Sequence, residues 1–88
     1  MADVILPSAN EYAEQSSTAV DDLLQSIEEY TLQHHPKAHM ISGKIQGKFL
    51  EMISCMVSPK RVLEIGTFTG YSAICLAKGL SQTGELHT

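Results

Sequence analysis

The chain has 88 residues, of which 43% are hydrophobic and 18% charged, and its net charge is −4. This composition is typical of a soluble globular protein, and no apolar run approaches the roughly 18 residues that span a bilayer. Residues 1–36 carry seven acidic and no basic side chains, so no basic stripe indicates nucleic-acid binding. The start lacks the basic and apolar regions of a signal peptide, and we expect a cytoplasmic protein without membrane contact.

The N-terminal region is predicted to begin with an irregular segment over residues 1–17, which contains a proline and many polar side chains. A helix is predicted over residues 18–33, with Ser17 or Thr18 as its cap. Pro36 ends it, because the residue before a proline is pushed out of the helical region.

A second helix is predicted over Gly43–Val57, with Ser42 as its cap. Residues 18–57 thus form a region of N-terminal helices. Apolar residues recur at helical spacing and predict one buried stripe. The stripe consists of Ile45, Phe49, Met52, Ile53, Met56 and Val57.

Residues 58–88 predict a strand over 61–65, a helix over 70–79 and the start of a second strand at 85–88. The first strand is rich in Val, Leu and Ile rather than alternating, which is expected when both of its faces are covered. One strand–helix unit cannot build a parallel sheet of the usual size, about five or six strands. We therefore predict an α/β fold of which this chain is the N-terminal part, or a half that another chain completes.

The junction between that strand and helix is the candidate ligand site. Gly66 and Gly70 follow the strand in a G-x-x-x-G spacing, where ligands can lie directly on the backbone. Phe68 occupies the position of the second glycine in a dinucleotide fingerprint, and Tyr71 replaces the lysine of a phosphate-binding loop. A phosphate-free ligand that contains one ribose and an amino acid fits better.

Glu64 stands at the penultimate position of this apolar strand, where an unpartnered carboxylate is costly to bury. It could bind the ligand, cap backbone N–H groups, or pair with Lys60 or Arg61. Histidines at positions 34, 35 and 39 also suggest a metal site. We disfavour it, because Pro36 interrupts the cluster and no Cys or carboxylate lies nearby in sequence.

The segment from Glu64 to Ser72 resembles motif I of the S-adenosylmethionine-dependent O-methyltransferases of the catechol and caffeoyl-coenzyme A type. Upstream, Met40-Ile41-Ser42 followed by Gln46-Gly47 is similar to the segment that precedes this motif in the family. The resemblance covers about residues 40–88 and implies a Rossmann-like class I methyltransferase fold.

The resemblance also implies a cofactor site. Its residues in this sequence are Met40, Ser42, Glu64, Gly66, Thr67, Phe68, Gly70 and Ser72. Glu64, Gly66 and Thr67 are expected at the methionyl end, with Ser72 on the cofactor carboxylate. Phe68, which is Tyr in some members, is expected near the sulfonium, since an aromatic face attracts a cation.

The family's catalytic lysine and metal-binding carboxylates are expected beyond Thr88, so no catalytic or metal-binding residue is assigned in this chain. The resemblance implies methyl transfer to a small, catechol-like hydroxyl acceptor, assisted by a divalent cation such as magnesium, in a homodimer. The segment alone is expected to be inactive. Two alternatives stay open: a fragment of a nicotinamide-dependent oxidoreductase, and a non-catalytic interaction or dimerisation fragment.

Overall fold

The computed structural model describes residues 5–88 and contains four α-helices, a short 3-10 helix and two strands within that range. They are α1 (Pro7–Ser16), α2 (Asp22–His34), the 3-10 helix (Ala38–Met40), α3 (Gly43–Val57), β1 (Arg61–Leu63), α4 (Tyr71–Ala77) and β2 (Glu85–His87). The strands pair in parallel, with Val62 opposite Leu86. None of the helices in this range is both long and apolar enough to cross a membrane.

Helix α1 corrects the prediction that residues 1–17 are irregular; residues 1–4 lie outside the described range. Pro7 occupies the first helical position. A proline is tolerated there, because the N–H that it lacks has no intrahelical partner. No residue of α1 is buried, so the helix lies on the surface.

Helix α2 begins four residues later than predicted, and its cap is Asp21 rather than Ser17 or Thr18. The Asp21 carboxylate accepts a hydrogen bond from the Leu24 N–H at 2.9 Å. Ser17 is already used by α1, since its hydroxyl donates to the Ala13 carbonyl at 2.6 Å. The end of α2, at His34, lies one residue beyond the predicted one.

Helix α3 has the predicted bounds, but the predicted buried stripe is wrong. Ile45 is half-buried, and the other five members are exposed, from 39% for Ile53 to 77% for Met56. The buried positions of α3 are Gly47 and Ser54, which face α4. Ser42, predicted as the cap, makes no capping bond, because its own backbone is already helical.

Helices α3 and α4 meet along a seam of small residues. A Cβ on Gly47 would lie 2.7 Å from the Tyr71 ring and 2.9 Å from Cys75 Sγ. The Ser54 hydroxyl donates to the Leu76 carbonyl and accepts the Gly79 N–H at 3.2 Å. Leu24 of α2 completes the core around Tyr71 and Cys75.

Strand β1 ends at Leu63, two residues earlier than predicted, and α4 is shorter than the predicted 70–79. The expectation that both faces of β1 are covered fails within the described residues. Val62 is half-buried, whereas Leu63 is 77% and Ile65 93% exposed. One face of the sheet, with Val62 and Leu86, is therefore half-buried, and the other is open within the described residues.

Candidate functional site

The chain turns from β1 into α4 through the glycine loop, residues 66–70. Gly66 and Gly70 adopt φ angles of +94° and +90°, and a Cβ on either would meet nothing within 4 Å. Glycine is therefore required at both positions by the backbone conformation, and the space beside them is open. The Gly70 N–H donates to the Thr67 carbonyl at 2.9 Å, which closes the turn.

A hollow of about 370 Å³ opens beside the glycine loop. Its lining joins two segments that are distant in sequence, one before α3 and one around the loop. The lining residues are Met40, Ile41, Ser42, Ile65, Gly66, Thr67, Phe68, Thr69, Tyr71 and Ser72.

Six of the eight predicted site residues line this hollow; Glu64 and Gly70 do not. Sequence reasoning missed four lining residues. Ile41, Ile65 and Thr69 directly neighbour predicted ones in the chain, and that adjacency was the available signal. Tyr71 belongs to the core, since it is only 3% exposed, and it also lines the hollow.

Both carboxylate oxygens of Glu64 are held by hydroxyl groups of this chain. Ser72 donates to one oxygen at 2.5 Å, and Thr88 donates to the other at 2.8 Å. Thr88 has a single proton, so the 3.0 Å contact with Thr67 is donated by the Thr67 hydroxyl. Within residues 5–88 Glu64 makes no ion pair, and the predicted alternative partners Lys60 and Arg61 do not contact it.

This network links the ends of both strands to the beginning of α4. Glu64 lies directly after β1, Thr88 directly after β2, and Ser72 in the first turn of α4. A carboxylate has more acceptor positions than the two hydroxyls occupy, so Glu64 can accept further hydrogen bonds. The network thus places one negative charge next to a hydroxyl that lines the hollow.

Burial favours the neutral form of two titratable groups in the core beside the hollow, Tyr71 and Cys75. Burial, with a smaller contribution from the negative charge of Glu28, raises the pKa of Tyr71 to about 12. Burial also raises the pKa of the Cys75 thiol. Neither group is therefore suited to act as a base or nucleophile near neutral pH.

The predicted histidine cluster does not come together as a metal site. The His34 ring stacks on Tyr30 with centroids 4.3 Å apart, and the His35 ring meets Phe68 edge-on at 4.6 Å. Across the part of the chain that the structure describes, no three His, Cys, Asp or Glu side chains are grouped so that they could hold a metal ion.

Comparisons with known proteins agree on one family. The O-methyltransferase family profile matches residues 13–88. A catechol O-methyltransferase of Niastella koreensis is 44% identical over 43 residues, which are 49% of this chain and 20% of that protein. Caffeoyl-CoA O-methyltransferase 2 of Petunia hybrida is 33% identical over 63 residues, 72% of this chain and 26% of the relative.

Solved structures show the same likeness. The crystal structure of the SAH-bound methyltransferase PaMTH1 of Podospora anserina matches 93% of this chain and 38% of its own, with a TM-score of 0.81 and 32% identity. An O-methyltransferase of Bacillus cereus in complex with SAH matches 90% of this chain and 36% of its own, at a TM-score of 0.76 and 32% identity. The predicted α/β, Rossmann-like fold is confirmed, and the chain spans about a quarter of the curated relatives' length.

Proposed function

The chain belongs to the O-methyltransferase family, and we propose that its glycine loop and the segment before α3 form part of an S-adenosylmethionine site. One observation carries the proposal. Two segments distant in sequence meet around an open hollow whose lining combines hydroxyl groups with the aromatic ring of Phe68 and contains no basic side chain. Such a lining suits a positively charged ligand without phosphate better than a nucleotide phosphate.

The residues present fit this cofactor. Phe68 is 37% exposed beside the hollow, and an aromatic face next to a cation contributes about 0.5–2 kcal/mol. The positive φ angles of Gly66 and Gly70 keep the loop backbone free of side chains on the open side. Thr67 and Ser72 supply hydroxyls, and Glu64 supplies the negative charge that complements an ammonium or sulfonium group.

S-adenosylmethionine, when bound, supplies an electrophilic methyl group on its sulfonium. The contribution of this chain is to bind and orient that group, since alignment of the reacting atoms accounts for much of the catalysis of a displacement. We propose that Glu64 contacts the methionyl end together with Gly66 and Thr67. We propose that Ser72, now donating to Glu64, turns its hydroxyl to the cofactor carboxylate.

The finer assignments follow from the resemblance. We propose a small, catechol-like hydroxyl acceptor and a homodimeric, cytoplasmic enzyme. The carboxylates for a divalent cation would be supplied by residues outside 5–88, because the described residues contain no suitable cluster. Residues 1–88 alone are then expected to be inactive. Neither alternative from the sequence, the oxidoreductase or the interaction fragment, is favoured by an observation.

Titration calorimetry of S-adenosylhomocysteine into the full-length protein tests the site. Loss of a charged hydrogen-bonding group weakens binding by about 10- to 100-fold, so we expect that loss for Glu64→Ala and a smaller one for Glu64→Gln. Glu85→Gln is the matched control, because the Glu85 carboxylate is exposed and pairs with His87, away from the hollow. Equal affinity of wild type and Glu64→Ala would refute the role of Glu64, and absence of binding to wild type would refute the proposed function.

A further inference from the structure

The last turn of α2 contacts the glycine loop at two adjacent loop residues. Thr31 Oγ1 lies 3.1 Å from Thr69 Oγ1, and the His35 ring meets the Phe68 ring edge-on, with the planes 65° apart. The His35 N–H donates to the Thr31 carbonyl at 2.9 Å. Thr31 in the last turn of α2 and His35, which caps that helix, are therefore one helical turn apart and reach the loop from the same side.

The Thr31 hydroxyl is satisfied in only one way. Thr31 is fully buried, and its Oγ1 lies 2.7 Å from the Ile27 carbonyl, which can only accept. The single Thr31 proton goes there, so the Thr69 hydroxyl donates to Thr31. Moving Thr69 away would break this hydrogen bond and leave the buried Thr31 hydroxyl bonded to the Ile27 carbonyl alone.

Phe68 adopts a backbone conformation that has to be held in place. Its φ angle is +50°, a sparsely populated region for a bulky aromatic residue, and such residues persist where their surroundings determine them. The His35 ring lies against Phe68 and is itself oriented, because its Nδ1 accepts the Lys37 N–H at 3.0 Å. His35 thus supports one side of the ring while Phe68 still lines the hollow.

Helix α2 is also tied down at its other end. Asp21, its cap, forms an ion pair with Lys78 just after α4, at 2.5 Å. Contact with Lys78 holds the pKa of the Asp21 carboxyl below its ordinary value. Because α2 is anchored to both ends of the loop–α4 unit, its last turn has a defined position over the glycine loop.

We propose that the last turn of α2 sets the conformation of the glycine loop, so that Thr31 and His35 are positioning residues for the methyl donor. The inference rests on the proposed function, because the effect on the donor passes through Phe68 and Thr69. Thr31 and His35 do not line the hollow themselves. They are outside the segment that the resemblance covers.

The test compares Thr31→Val with Thr31→Ser, and His35→Ala with His35→Phe, in the full-length protein. Valine keeps the shape of threonine without its hydroxyl, and phenylalanine keeps the ring. Loss of one neutral hydrogen bond or one ring contact corresponds to about 3- to 10-fold weaker binding of S-adenosylhomocysteine for the valine and alanine variants. We expect the serine and phenylalanine variants to stay within about twofold of wild type. In the valine and alanine variants the KM for S-adenosylmethionine should rise in parallel with the loss of affinity, and the KM for the acceptor should not change.

Hydrogen exchange of the amides of residues 66–71, measured without cofactor, separates the two proposals. We expect faster exchange there in Thr31→Val than in wild type, with unchanged exchange in residues 45–57 of α3. Unchanged loop exchange, or an increase spread equally over both regions, would overturn the positioning role. The positioning role would also be overturned if wild type binds S-adenosylhomocysteine and the Thr31→Val and His35→Ala variants bind it equally well. A wild type that fails to bind would instead overturn the proposed function, while the exchange comparison still decides whether α2 sets the loop.

Discussion

The α3–α4 seam and the two-stranded sheet differ in how far their side chains are covered: the seam is closed, and one face of the sheet is open. In the seam Gly47 and Ser54 let the helices approach until side chain and backbone touch, and Cys75 is 1% exposed. In the sheet, Leu63 and Ile65 of the outer face are largely exposed. Contacts within residues 5–88 determine the packing of the seam. The outer face of the sheet is not packed against any part of residues 5–88.

The hollow lies beside the loop that joins these two regions. The glycine loop connects the open sheet to the closed seam, so α4 holds one end of the loop firmly while the other end follows the strand. Parallel sheets are found almost only with both faces covered. We therefore expect the open face to be covered in the full-length protein. Mutations in the seam and on the open face test the two regions separately.

The largest effect is expected for Gly79→Ala. A Cβ at this position would overlap the backbone carbonyl of Ser54, which cannot move without displacing α3. The φ angle of Gly79 is not positive, so the cost is steric, and overpacking of this kind destabilises by about 3 kcal/mol or more. Urea unfolding of the full-length protein measures it. Gly84→Ala, whose Cβ would meet Leu80 and Ser81 atoms at 3.0 Å, is the milder control; equal stability of both variants would mean that the seam is looser than described.

Leu63→Ala tests the open face of the sheet. If that face is covered in the full-length protein, as we expect, removing the side chain lowers the free energy of unfolding by about 2–3 kcal/mol. Leu63→Met keeps the volume and should cost less than about 1.5 kcal/mol. A Leu63→Ala variant as stable as wild type would contradict this expectation and leave the outer face exposed in the complete protein.

Gly47→Ala should have a smaller effect, because two contributions oppose each other. The added methyl would press on the Tyr71 ring and Cys75 Sγ, at 2.7 and 2.9 Å, while alanine favours a helix over glycine by about 1 kcal/mol. We expect a net loss of about 1–2 kcal/mol in urea unfolding. Adding Cys75→Ala removes one of the two contacts, so the double mutant should lose less than the sum of the single mutants. Strict additivity would show that Cys75 does not meet the added methyl.

Local signals predicted a good part of this structure. The bounds of α3 followed from its periodicity, and the position of the glycine loop followed from Gly66 and Gly70. The start of α2 was misjudged, because Ser17, Thr18 and Asp21 are all suitable caps and only tertiary contacts select one. The α3 stripe was misjudged because periodicity shows which residues share a face and not which face is covered.

The candidate site, too, was predictable from the sequence only in part. The resemblance, and no spacing rule, grouped Met40 and Ser42 with the loop, and in the structure both line the hollow beside it. The Glu64 network depends on Thr88, 24 residues away, and the Thr31–Thr69 contact spans 38 residues. Hydroxyl pairs at such separations leave no pattern in one sequence, because threonine is common at many positions that make no such contact.

The smallest effect is expected for the alkylation of the two cysteines. Their labelling rates compare the seam with the surface and need no mutation. Cys75 is buried in the seam, and Cys55 of α3 is exposed. Alkylation proceeds through the thiolate, and burial raises the pKa of Cys75, so at any given pH fewer Cys75 thiols are ionised. Iodoacetamide at pH 8 should therefore label Cys55 first, as followed by peptide mass spectrometry, and reach Cys75 only in urea. Equal labelling rates under native conditions would show that the seam opens readily, and with it the support that α4 gives to the glycine loop.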